Sequence, residues 1–119
     1  MAAYCQQRAQ DTTLKQVVGI SDVRWDIGHQ RIHIGNKVFT FTRTQYRLLF
    51  PLRHGLPVMY AELACKVYQC AADDKVRIAM DKHIDKIRSK LRGSGLYVYC
   101  ILGYGYILLS EASDGFNCS

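Results

Sequence analysis

The sequence predicts an α+β domain in which an antiparallel β-meander, three helices and a terminal β-hairpin follow one another. Three observations carry that reading. Residues 14–42 alternate apolar and polar positions around two tight-turn signals, the period lengthens to that of a helix from Thr42, and alternation returns after Gly93 and Gly95. At 119 residues the chain has room for one core. Its 49% apolar and 22% charged residues are the composition of a globular rather than a disordered protein.

Each element has a local cause. Val23-Arg24-Trp25-Asp26-Ile27 alternates, Gly28-His29-Gln30 breaks the pattern, and Arg31-Ile32-His33-Ile34 resumes it. Gly35-Asn36-Lys37 then turns the chain into Val38-Phe39-Thr40-Phe41. A fourth strand is expected over residues 16–20. Thr42 or Thr44 caps the first helix, along which Tyr46, Leu49, Phe50 and Arg53 fall at helical spacing. Pro51 bends or shortens that helix, and Gly55 and Pro57 end it. The second helix, 60–68, sets Leu63, Ala64, Val67 and Tyr68 along one side. Asp73 or Asp74 caps the third, 75–91. There Val76, Met80, Ile84, Ile87 and Leu91 form one apolar stripe. Lys75, Lys82, Lys86 and Ser89 project from the opposite side, with Ala79 and Lys90 at its edge. Residues 97–109 form the hairpin around Gly103-Tyr104-Gly105. The domain is therefore expected over 14–109, between an N-terminal arm (1–13) and a C-terminal tail (110–119).

Charge is concentrated. The formal net charge is +6, and residues 75–92 hold seven basic side chains against two acidic ones. Such a stripe is the footprint of a polyanion binder. Other classes are excluded by pattern. No apolar run approaches the roughly 20 residues of a membrane span, and the first residues do not read as a secretory signal. Five unevenly spaced cysteines in that context read as reduced thiols of a cytoplasmic protein. Cys65 and Cys70 fit neither a zinc pair nor a redox CxxC, and His29 and His33 have no further ligand nearby, so no metal or cofactor is expected. No Ser/His/Asp, Cys/His or paired-carboxylate arrangement supports an enzyme. Tyr97, Tyr99, Tyr104 and Tyr106 alternate along the hairpin as half-buried sheet residues do; stacking on single-stranded bases is the other reading.

A meander, three helices with a basic third, and a terminal hairpin is the order of a winged helix-turn-helix domain with an N-terminal sheet. From Val23 to Leu109 the chain resembles the DNA-binding domain of OmpR/PhoB-type response regulators. The resemblance lies in four pieces in order: Phe39 to Leu49 for the last strand and first helix, Leu63 to Tyr68 for the second helix, Met80 to Leu91 for the recognition helix, and Gly103-Tyr104-Gly105-Tyr106 for the wing turn. It implies a recognition helix (75–91) in the major groove and the hairpin (97–109) as wing. By position, Ala79, Lys82 and Lys86 match base-facing residues, and Tyr68, His83, Arg88 and Tyr106 match phosphate-touching ones. His83 reads equally as a structural histidine at the rim of the stripe. With the basic stripe, the candidate DNA-binding set is Tyr68, Lys75, Arg77, Ala79, Lys82, His83, Lys86, Arg88, Lys90 and Tyr106.

The departures matter too. Tyr68 stands where a Trp is usual, Gln45 where a Glu is usual, Asp85 at a usually basic position, and Leu102 where an Arg commonly enters the minor groove. The resembling stretch includes no receiver domain, and a start at Met1 favours an intact small protein. The expected function is sequence-specific double-stranded DNA binding as a bacterial transcription regulator, as monomer or homodimer. The alternative is a winged-helix adaptor docking on RNA polymerase or another regulator, with weak or non-specific DNA binding.

Overall fold

A computed structural model describes residues 18–111. The expected arm (1–13) and most of the expected tail lie outside that range. Strands β1 (Val23–Asp26), β2 (Arg31–Ile34) and β3 (Lys37–Thr40) pair antiparallel in that order. Val23 lies opposite Ile34 and Trp25 opposite Ile32, so the apolar positions of the alternation share one face, and Val23, Ile32 and Ile34 are buried. The expected strand over 16–20 is not formed by its described part. Ile20–Asp22 is instead a 3₁₀ turn in which the Asp22 carboxylate accepts from the Gly19 N–H at 2.8 Å. That local bond competes with sheet pairing.

Helix α1 (Arg43–Leu49) opens on a reciprocal cap. Thr42 Oγ1 accepts from the Gln45 N–H at 3.2 Å, and Gln45 Oε1 accepts from the Thr42 N–H at 3.0 Å. The departure at Gln45 therefore keeps the cap without a carboxylate. Pro51 does shorten the helix, which tightens into a 3₁₀ turn over Phe50–Leu52. The Tyr46 and Phe50 rings stack at 5.7 Å, and Trp25 stands edge-on to both, sealing the meander onto α1.

After the short strand β4 (Val58–Met59), helix α2 runs over Tyr60–Leu63 and widens into a π-turn at Ala64–Tyr68, ended by Gln69 in the left-handed region. Asp73 caps α3 (Asp74–Lys90), its carboxylate accepting from the Val76 N–H at 2.9 Å. Met80, Ile84 and Ile87 are fully buried, which places the predicted stripe on the core. Strands β5 (Leu96–Ile101) and β6 (Gly105–Ser110) make the hairpin, and β4 joins the far edge of β6. The second strand thus enters the segment expected as tail, where the Glu111 N–H also donates to the Gly95 carbonyl. Gly105 is required where β4 crosses: a Cβ there would run into the Val58 carbonyl.

Candidate nucleic-acid interface

Helix α3 separates its basic residues into two groups that the sequence does not distinguish. Lys75, Lys82 and Lys86 are exposed and make no hydrogen bond or ion pair among the described residues. At 100° per residue they lie opposite the Met80–Ile84–Ile87 stripe, so three ammonium groups share a face left exposed among the described residues. Ala79, half-buried, sits at the edge of this face and lets the helix backbone approach a surface closely.

The other basic residues of α3 with known partners are held by the fold. Arg88 donates from Nε to the Val98 carbonyl at 2.8 Å and pairs with Asp85 at 2.9 Å. The acidic departure at position 85 is thereby neutralised within the helix. Lys90 donates to the Thr40 carbonyl at 3.0 Å and to Gln45 Oε1 at 2.9 Å, and lies over the Phe41 ring. Its ammonium ties α3 to the meander and to the α1 cap, an internal role that the charge pattern of the sequence does not show. Arg77 is half-buried with its guanidinium 4.2 Å above the Tyr60 ring.

Two tyrosines of the candidate set are also drawn into the fold, Tyr68 half-buried and Tyr106 buried. Tyr106 is 1% exposed and its hydroxyl donates to Asp81 of α3, which joins the wing to the helix. Burial, then the Asp81 carboxylate, push its phenol pKa well up. The Tyr68 hydroxyl is enclosed without a hydrogen-bond partner, and burial raises its pKa as well. His83 is half-buried, with Nδ1 enclosed and unpartnered. Of its two readings, this geometry favours the structural one.

The wing is anchored at the start of α2. The Tyr60 N–H donates to the Tyr104 carbonyl at 2.8 Å, and its hydroxyl shares a hydrogen bond with Cys100 Sγ at 3.2 Å. That bond, followed by burial, raises the Tyr60 pKa. At the tip, Gly103 takes a positive φ of 75° and Leu102 is 93% exposed. Sequence reasoning passed over one residue on the basic face. Ile78 is 58% exposed, four positions before Lys82 and three after Lys75. The signal was available, since Ile78 falls outside the apolar stripe. Among the described residues no cluster could hold a metal, and no helix is long and apolar enough to cross a membrane.

No protein-family model and no curated protein matches the chain. Solved structures do. The DNA-binding domain of CpxR from E. coli superposes with a TM-score of 0.64 at 22% identity, over 80% of this chain and 97% of that one. The Klebsiella pneumoniae RstA DNA-binding domain, in complex with the RstA box, gives 0.63 at 14% identity, over 78% and 96%. The DNA-binding domain of the response regulator AdeR, in complex with an intercistronic region, gives 0.60 at 20% identity, over 75% and 94%. This chain has the OmpR/PhoB-type winged-helix fold. In that fold α2 and α3 form the helix-turn-helix, β5 and β6 the wing, and the meander a platform behind them. The sequence-based fold expectation holds.

Proposed function

We propose that this protein binds double-stranded DNA as a transcription regulator, with α3 in the major groove. The observation that carries the reading is the face of Lys75, Lys82 and Lys86: three cations without a partner among the described residues, on the third helix of a fold whose solved examples include DNA complexes. A helix of 17 residues is about 25 Å long and 10–12 Å across, which matches the roughly 12 Å width of the major groove. Lys82 and Lys86, one turn apart, reach base edges or flanking phosphates, and Lys75 meets the backbone at the helix start. If all three neutralise phosphates, log affinity falls by about 2.7 per log unit of salt.

Selection from a randomised duplex pool at physiological salt tests this. Enrichment of one motif, lost in Lys82→Ala/Lys86→Ala, supports a sequence-specific regulator. A pool without a motif favours the second reading, an adaptor that docks on another protein. One observation speaks for that reading. Leu102 at the wing tip and Tyr97 and Tyr99 on β5 are exposed. The two tyrosines, with Leu91, Leu96, Arg88 and Arg92, line a groove of about 430 Å³. Tyrosine and arginine are the side chains enriched in protein interfaces.

A further inference from the structure

We infer that Ile78 reads the methyl group of a thymine in the DNA target, an inference that rests on the DNA-binding reading above. Isoleucine 78 contributes nothing to the core: it is 58% exposed while Met80, Ile84 and Ile87 are fully buried. It stands on the face of Lys75, Lys82 and Lys86, with Lys82 one turn away on the same ridge. A β-branched side chain is also a poorer helix former than the straight-chain residues around it. The fold therefore gives no reason for an isoleucine here, and a surface turned toward DNA does.

The chemistry narrows the target. Isoleucine has no donor, acceptor or charge, so it cannot bind a phosphate or pair with a polar base edge. On the floor of the major groove the apolar projection is the C5-methyl of thymine, and apolar side chains are its complement. Of the acidic groups near Ile78, Asp81 accepts from Tyr106 and Asp85 is paired with Arg88, while Asp74, one turn before Ile78, lies in the first turn of α3 at the positive end of the helix dipole. The lysines then hold the helix on the backbone while Ile78 covers one methyl and excludes water from it.

The test starts from the duplex selected by the wild-type protein. Each thymine is replaced in turn by deoxyuridine, which removes only the methyl, and Kd is measured for the wild type, Ile78→Ala and Ile78→Val. At one or two positions the wild type is expected to lose about three- to five-fold, the worth of one methyl-sized contact. Ile78→Ala is expected to be indifferent to deoxyuridine at those positions, and Ile78→Val to keep most of the discrimination. The inference is overturned if the wild type tolerates deoxyuridine everywhere, if the selected motif contains no A·T pair, or if Ile78→Ala retains the full penalty. A pool that yields no motif is a different result: it removes the sequence-specific DNA reading on which this inference rests, before any Ile78 variant is made. Because Ile78 is exposed, the variants are expected to keep the wild-type melting temperature, so a lost effect reports on DNA.

Discussion

Lys86 and Lys90 are one helical turn apart on α3, and the structure assigns them opposite tasks, which a pair of Lys→Met substitutions separates. Methionine keeps the length of the stem and removes the ammonium. At Lys90 that deletes two hydrogen bonds from a charged donor, to Thr40 and Gln45, and a cation lying 5.4 Å from the Phe41 ring centre. Gln45 is 4% exposed, so its bond carries most of the effect, about 1.5–2 kcal/mol. The Thr40 carbonyl is open to water and adds little, and the ring contact adds about 0.5 kcal/mol. The total is about 2 kcal/mol, or a fall in Tm of about 10 °C for a domain of this size. At Lys86 nothing internal is lost, so stability should stay within about 0.5 kcal/mol. Trp25, packed edge-on against Tyr46 and Phe50 beside the α1 cap, is the fluorescence probe for urea unfolding. In DNA binding the order reverses: Lys86→Met lowers the salt slope by about 0.9, and Lys90→Met leaves it unchanged. An unaltered unfolding midpoint in Lys90→Met, or a salt slope reduced equally in both variants, refutes the division of the helix.

Three further outcomes follow from the same contacts. Tyr106→Phe should cost about 1 kcal/mol in urea unfolding through the lost bond to Asp81, while DNA affinity holds; a fall in affinity without a fall in stability would return Tyr106 to the interface. Gly105→Ala forces a Cβ into the Val58 carbonyl, which no rotamer relieves, so we expect a loss of about 3 kcal/mol, read as a lower Tm, and a displaced wing. The Asp26 carboxyl is held below its ordinary pKa mainly by the His29 hydrogen bond and also by Arg31, against a smaller opposing effect of burial. A depressed carboxylate stabilises the folded state above its unfolded pKa, and that contribution is lost as pH falls through the folded one. Asp26→Asn should therefore lower Tm at pH 6 and converge with the wild type near pH 2; a constant difference across that range would disprove the linkage.

The legible part of this protein is the part governed by local period. Alternation located the meander, because half-buried strands repeat every two residues, and the spacing of Met80, Ile84 and Ile87 located the buried side of α3. The lysines opposite were legible for the same reason. Whether a given cation is free was not legible, because it depends on what else the fold brings within reach. Lys90 is engaged by residues 45 and 50 positions away, and Arg88 by a carbonyl across the turn into β5. Tyr106 illustrates the same limit, since alternation suggested a half-buried strand residue, and the Tyr60 ring and Asp81 that meet it in the fold lie 46 and 25 positions away. Gln45 is the converse: it read as a departure from a resemblance, yet the amide caps the helix and also accepts from Lys90.

The side chains on the outer face of α3 owe nothing to the rest of the domain. Among the described residues Lys75, Ile78, Lys82 and Lys86 touch no partner that folding depends on, while Arg88, Lys90 and Asp81 hold the helix to four other elements from its flanks. Heredity can therefore rewrite the outer four positions one at a time without a stabilising second change elsewhere. A lineage carrying this domain would be expected to drift quickly in what it recognises and slowly in how it is built, with paralogues diverging at those four positions first.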